Sequence, residues 1–371
     1  MLIGCPKEIK NHEYRVGLTP IMVKDLKDQG HEVLIESGAG NGSGFENTNY
    51  IEAGATIVDG SDAVFEKAEL IIKVKEPQKI ERARLQQGQI LFTYLHLAPD
   101  RDQTVDLIKS GVTAFAYETI TDKNGGLPLL APMSEVAGRL APQMGAWALQ
   151  KANLGSGKLL AGVPGVPPAN VLILGGGVVG TQAALIALGM GANVTLMDTS
   201  IKRLQYLDQF FNMKIKTLLS SKGNIDATLI SSDMIIGAVL VPGATAPKLI
   251  SRSQLSNMKK GTVLVDVAID QGGCFETSKA TTHDNPIYVI DGIVHYCVAN
   301  MPGAVPNTST LALTNVTMPF ISKLSNFGWK SACKHDSDLL NGLNIHKGKV
   351  LNAAVGKALD LEHDDPQSVL N

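Results

Sequence analysis

The sequence predicts an α/β protein made of two doubly wound parallel-sheet domains, joined by two long helices with a cleft between them. Three observations lead there. Apolar strand-like runs alternate with helical stretches along most of the chain, the rhythm of a sheet covered by helices on both faces. At 371 residues the chain can build two cores. A glycine-rich turn, GGGVVG at 175–180, stands between a strand pattern and a helix pattern, which makes the surrounding domain Rossmann-like.

Composition narrows the function classes. With 33 basic and 35 acidic side chains and no basic stripe, nucleic acid is not an expected partner. The opening MLIGCPKEIK lacks the long apolar core of a signal peptide, so cytoplasmic residence is the default. Leu159 to Met197 carries no charge, but Pro164, Pro167, Pro168 and the glycine triplet cut it into pieces too short to span a membrane. Cys5, Cys274, Cys297 and Cys333 are scattered without paired or His-partnered ligand spacing, which predicts reduced thiols, no disulfide and no metal site.

The first part of the chain repeats strand then helix. Leu2–Cys5, His31–Glu36, Ala55–Val58, Leu70–Val74, Ile90–Leu95 and Thr113–Tyr117 read as strands, with helices such as Ile21–Gln29 and Asp102–Ser110 between them. This stretch is Rossmann-like without a phosphate-binding glycine signature, so it is the candidate substrate domain. Ser134 reads as the cap of a helix running to about Asn153, kinked at Pro142.

The cofactor domain follows. Val171–Leu174 reads as a buried parallel strand that stops at Gly175, Gly177 and Gly180, the Gly-x-Gly-x-x-Gly spacing, before the Ala-rich helical run Val178–Met190. Gly175 permits the sharp turn, Gly177 lets a pyrophosphate approach the backbone, and Gly180 lets helix pack on strand. The helix N-terminus then offers free N–H groups to phosphate. A second run, Asn193–Met197, leads into Asp198, placed to bond an adenosine ribose and to repel a 2′-phosphate, which favours NAD over NADP; Arg203 alone argues the other way. Ile215–Leu219, Met234–Leu240, Val263–Ala268 and Ile287–Ile290 are later strands. A long helix with Pro319 inside is expected from Thr308 to about Asn326, followed by a tail too short to be a domain. The economical arrangement is therefore discontinuous: 1–130 with 306–371 as the substrate domain, 131–305 as the NAD-binding domain.

Ligands in open parallel sheets bind beyond the carboxyl ends of the strands. Lys75 follows LIIKV, His96 follows ILFTYL, Asp270 follows VLVDVAI, and Arg15 lies in the loop after the first strand. Each has an ordinary reading: a solvated lysine, a packed histidine, a surface arginine, a loop acid. None alone names a reaction, although a guanidinium suits a substrate carboxylate and a histidine suits proton transfer.

MLIGCPKEIKNHEYRVGLTP at the start, KVKEP at 73–77, LFTYLHLAPD at 91–100, GVPGVPPANVLILGGGVVG at 162–180, VDVAIDQGGCFETSKATTHDNP at 265–286 and HYCVANMPGAVPNTST at 295–310 together resemble the bacterial alanine dehydrogenases, of the alanine dehydrogenase/transhydrogenase alpha-subunit family. The likeness runs through essentially the whole chain. Asn307 is a small departure, where relatives often carry a basic residue. The resemblance implies reversible oxidative deamination of L-alanine to pyruvate and ammonia with NAD, in a homohexamer without membrane or nucleic-acid partners. It further implies that Arg15 binds the substrate carboxylate, that Lys75 holds the carboxylate or keto oxygen, and that His96 is the general acid and base. Asp270 would orient the reacting water or ammonia and touch the nicotinamide ribose; Ser134, Val179, Asp198, Arg203, Ser220, Val239, Leu240, Asn300 and Met301 would line the NAD site. Rival readings are a lysine-forming saccharopine dehydrogenase, the NAD-binding subunit of a proton-translocating transhydrogenase, and a silent NAD sensor.

Overall fold

The computed structural model describes residues 1–239 and 246–370, and divides into two compact units, Met1–Met133 with Val305–Asn371, and Ser134–Ala304. The first division falls inside the helix Ala131–Ala148 and the second just before the helix Pro306–His335.

In the first unit the strands are β1 (Leu2–Cys5), β2 (Glu32–Glu36), β3 (Thr56–Val58), β4 (Leu70–Ile72), β5 (Ile90–Thr93) and β6 (Thr113–Ala116). They are parallel, and β1 sits at the switch point with β2 and β3 on one side and β4, β5 and β6 on the other. Every residue of β4, β5 and β6 is buried, which is why these runs are apolar throughout rather than alternating. The intervening helices start on matched caps: Thr19 accepts from Met22 N before Pro20, and Asp100 accepts from Gln103 N at 2.9 Å.

The second unit contains β7 (Asn170–Leu174), β8 (Asn193–Asp198), β9 (Lys216–Leu219), β10 (Met234–Gly237), β11 (Val263–Asp266), β12 (Ile287–Ile290) and β13 (Ile293–Tyr296), in the order β12-β13-β11-β10-β7-β8-β9. Here β7 is the switch strand, paired with β8 and β10 in parallel. Its core joins Leu172, Leu174, Ile235 and Leu264 to Phe275 and Ile293.

The structure corrects several sequence expectations. Both sheets are parallel as expected except at one edge of each. β12 runs antiparallel to β13, and two C-terminal strands, β14 (Leu343–His346) and β15 (Lys349–Val350), extend the first sheet antiparallel beyond β6. The tail is thus part of a core, with Ile345, Val350 and Val355 packed among Leu91, Leu107 and Ala114. Ser134 is not a cap: its helix begins three residues earlier at Ala131, runs through Pro142 and ends at Ala148. The last long helix begins at Pro306, whose ring suits a first helical position, and runs past Asn326 to a break at Gly328, with φ 71° and ψ 153°. Leu240, read as the end of a strand and as a cofactor contact, lies outside the described residues.

Candidate active site

The carboxyl edge of the first sheet collects three of the predicted residues. Lys75 and His96 each follow their strands, β4 and β5, by three residues, and Arg15 lies in the long loop after β1. These strands are adjacent and parallel, so their exits share one edge.

Arg15 is buried, at 2% exposure, and its fork is engaged by Glu13: Nε donates to Oε1 at 2.7 Å and Nη2 to Oε2 at 2.5 Å. Its Nη1 meets Met133 Sδ at 3.0 Å. Burial works against the charge, but the Glu13 carboxylate outweighs it and holds the guanidinium above its ordinary range. Beside it, Glu8 organises the β4 exit: Oε1 accepts from Val74 N at 2.7 Å and from Lys75 N at 3.2 Å, while Oε2 pairs with the fully buried Lys73 at 3.0 Å. Lys73 also pairs with Glu81 at 2.7 Å. Burial pushes the Glu8 carboxyl above the usual range, against the pull of Lys73. Thr93 Oγ1 donates to Lys75 O at 3.0 Å, tying the β4 and β5 exits together.

His96 has a left-handed backbone, φ 50°, and a partly exposed ring. The ring stacks on Tyr94, 5.8 Å between centroids and 5° between planes, and Tyr94 is itself fixed by its hydroxyl donating to Leu129 O at 2.5 Å. The Glu118 carboxylate accepts from His96 N at 2.6 Å and from Leu95 N, and stands 4.0 Å from His96 Nδ1. Glu8, Glu13, Tyr94 and Glu118 escaped the sequence reading. The signal for Glu118 was there, since it lies two residues past β6, the strand beside β5.

In the second unit the glycine turn fits a dinucleotide pyrophosphate. A Cβ on Gly180 would lie 1.8 Å from Gly175 O, and one on Gly175, whose φ is 103°, 2.6 Å from Ala238 O. Both glycines are therefore required by the chain itself. A Cβ on Gly177 would meet nothing within 4 Å, so no protein neighbour demands that glycine. It caps the helix Val178–Gly189 without a side-chain hydrogen bond. Open space over an uncapped helix start is what a phosphate group needs.

Asp198 ends β8 as the ribose reading requires, yet its carboxylate is also structural, accepting from Gly176 N and Ser200 N at 2.8 Å each. Arg203 donates through Nε to Gly176 O at 2.6 Å and through Nη2 to Thr181 Oγ1 at 2.9 Å, so it braces the glycine turn. Ser220 N donates to Asp198 O at 2.9 Å, and Val239 follows β10 within reach of Gly175. On the helix Ala131–Ala148, Ser134 stands one turn before Gly138, where an added Cβ would touch Val179 O at 2.4 Å. Gly138 therefore packs closely on the start of the helix Val178–Gly189. Asn300, with φ 62°, precedes the turn Met301–Ala304 after β13.

Asp270 is exposed in a short turn, Ile269–Gln271, after β11. The loop carrying it is gathered by Asp266, the fully buried last residue of β11, which accepts from Ala268 N at 3.1 Å, Cys274 N at 2.8 Å and Ser278 Oγ at 2.5 Å. Burial raises the Asp266 carboxyl above its ordinary range, opposed by the donors of Ser278 and Cys274. Asp270 belongs to the second unit and Arg15, Lys75 and His96 to the first. Among the described residues no cluster of His, Cys, Asp and Glu could hold a metal ion, and no helix is long and apolar enough to cross a membrane. All four cysteines are buried free thiols. Asn307, the departure noted in sequence, donates to Ser43 O at 2.7 Å.

Comparison with known proteins places the chain in a family. The family model described as alanine dehydrogenase/PNT, N-terminal domain, matches residues 4–137, and the one described as alanine dehydrogenase/PNT, C-terminal domain, matches residues 141–353. Alanine dehydrogenase of Halomonas elongata is 56% identical over 370 residues, the full length of both chains. A solved L-alanine dehydrogenase superposes with a TM-score of 0.94 at 48% identity, covering 97% of this chain and 99% of that one. The transhydrogenase from Sinorhizobium meliloti, at 24% identity and a TM-score of 0.81 over 95% of this chain and all of that one, shares the fold. On a full-length match in sequence and in structure, this chain belongs to the alanine dehydrogenase/PNT family.

Proposed function

We propose that the protein is an NAD-dependent oxidoreductase acting on a CH–NH2 group, the reversible oxidative deamination of L-alanine. Alanine, NAD and water give pyruvate, ammonium, NADH and a proton. The observation that carries this reading is full-length similarity to a curated alanine dehydrogenase, joined to an edge where Arg15, Lys75 and His96 follow neighbouring parts of one sheet. NAD, bound over Gly177 with its ribose at Asp198, supplies the hydride acceptor. Arg15, presented as a rigid fork by Glu13, binds the substrate carboxylate; Lys75, whose backbone is fixed by Glu8 and Thr93, takes a carboxylate or keto oxygen. His96 removes a proton from the amine or the attacking water and returns it in the reverse direction, a contribution typically on the order of a hundredfold to ten-thousandfold in rate. Asp270 orients the water or ammonia. Ser134, Val179, Arg203, Ser220, Val239, Asn300 and Met301 complete the cofactor surroundings, with Leu240 alongside. The assembly is a homohexamer working in the cytoplasm, without nucleic-acid or membrane partners.

NADH formation by the purified protein tests this directly, with L-alanine and NAD run beside NADP, L-lysine, saccharopine and a blank without amino acid. Turnover with alanine and NAD alone is expected. Silence with alanine while NADH still binds would overturn the reaction and leave the dinucleotide site standing.

A further inference from the structure

We propose that Glu118 is the positioning residue of His96, an inference that rests on the acid and base role given to His96 above. The placement follows from register. β5 and β6 are parallel with Thr93 opposite Ala116, so the residues just beyond them become neighbours: His96 three past β5 and Glu118 two past β6.

One carboxylate then does two things. Its oxygens accept from Leu95 N at 3.2 Å and from His96 N at 2.6 Å, fixing the main chain where His96 takes a left-handed φ of 50°. A conformation that disfavoured for a side chain with a Cβ persists only where its surroundings over-determine it. The same Oε1 faces the ring, 4.0 Å from Nδ1. The opposite nitrogen, Nε2, makes no hydrogen bond to any described residue, so it is the one left to exchange a proton with substrate. Tyr94 backs the ring in parallel and is itself anchored on Leu129 O. Backbone, ring face and charge therefore all bear on this imidazole. A carboxylate on the Nδ1 side and a free Nε2 are the arrangement of a carboxylate-oriented general base.

The two roles separate by substitution. Glu118→Gln keeps one acceptor oxygen, in the place of the Oε1 that lies 2.6 Å from His96 N and 3.3 Å from Leu95 N, and removes the charge; Glu118→Ala removes both; Glu118→Asp keeps the charge. Each full-length variant is assayed with L-alanine and NAD beside His96→Ala, with thermal midpoint and NADH binding as checks on folding. Glu118→Gln is expected to lower kcat about ten- to a hundredfold with alanine KM within about threefold, Glu118→Asp to recover part of the loss, and Glu118→Ala to fall lowest. If His96→Ala is inactive while Glu118→Gln turns over normally, Glu118 only braces the loop and the proposal fails. Proportional loss of kcat and thermal midpoint, unrescued by aspartate, sinks it too. Near-normal turnover of His96→Ala would instead overturn the role of His96 itself.

Discussion

Arg15 owes its geometry to Glu13, whose side chain is fully buried and binds the guanidinium through both oxygens. A lysine in that place keeps the charge but offers a point donor where the pair uses a planar fork. Arg15→Lys therefore gives up one of the two charge-assisted side-chain hydrogen bonds to Glu13, at a cost of about 1–3 kcal/mol. It should raise the KM for alanine and for pyruvate about tenfold or more and lower the thermal midpoint by several degrees. Steady-state kinetics and a melting curve decide it, and an unchanged KM would remove Arg15 from the substrate site. Lys75, His96 and Asp270 were legible because strand exits are legible: an apolar run stops and a polar side chain follows. Their supporting acids were not. Glu13, Glu118 and Asp266 matter through neighbours brought in by sheet register or by loop folding, as when Asp266 gathers Ala268, Cys274 and Ser278. Glu118 does stand at a strand exit, two residues past β6, but nothing in the local sequence says which neighbours these acids hold.

Among the elements, the turn from β7 into the helix Val178–Gly189 separates what glycine does for the fold from what it does for a ligand. Gly180→Ala drives a Cβ into Gly175 O, a backbone atom that cannot yield cheaply, so the second unit should lose stability. Gly177→Ala meets nothing, has an ordinary φ of −68° and should leave the melting temperature nearly unchanged. Its methyl group would instead fill the space proposed for the pyrophosphate, and NADH affinity, measured by fluorescence titration, should fall about tenfold or more. If Gly177→Ala bound NADH like the parent, the phosphates would have to sit elsewhere. Element boundaries show where sequence reading stops short. Val74 and Leu95 prolong their apolar runs beyond β4 and β5 because the chain stays fully buried past the ends of those strands. Hydropathy follows burial, whereas a strand ends with its pairing.

Across the whole molecule, the first unit is closed by residues more than two hundred positions away from the strands they cover. β14 pairs with β6 through Leu343 opposite Phe115 and Ile345 opposite Ala114, and all four residues of β6 are buried. The sequence showed this return only as a tail, because two short strands carry too few residues for periodicity to speak. Ending the chain at Gly342 would remove β14, β15 and the helix Ala353–Leu359, and with them Ile345, Val350 and Val355 from the core cluster. The exposed edge and lost apolar contacts should open the first unit, while the second loses no residue of its own. The cysteines report on each unit separately. Cys5 lies in β1 with no exposure, and Cys274 and Cys297 lie in the second unit, equally shielded. Burial raises the Cys5 thiol to about 12 and the Cys297 thiol to about 11, so neither should react with iodoacetamide in the intact fold at neutral pH. Mass spectrometry after brief alkylation should find Cys5 labelled in the shortened chain and Cys274 and Cys297 still protected. Continued protection of Cys5 would show that the last strands are an appendage to a sheet stable without them, and labelling of all three would mean that the two units unfold as one.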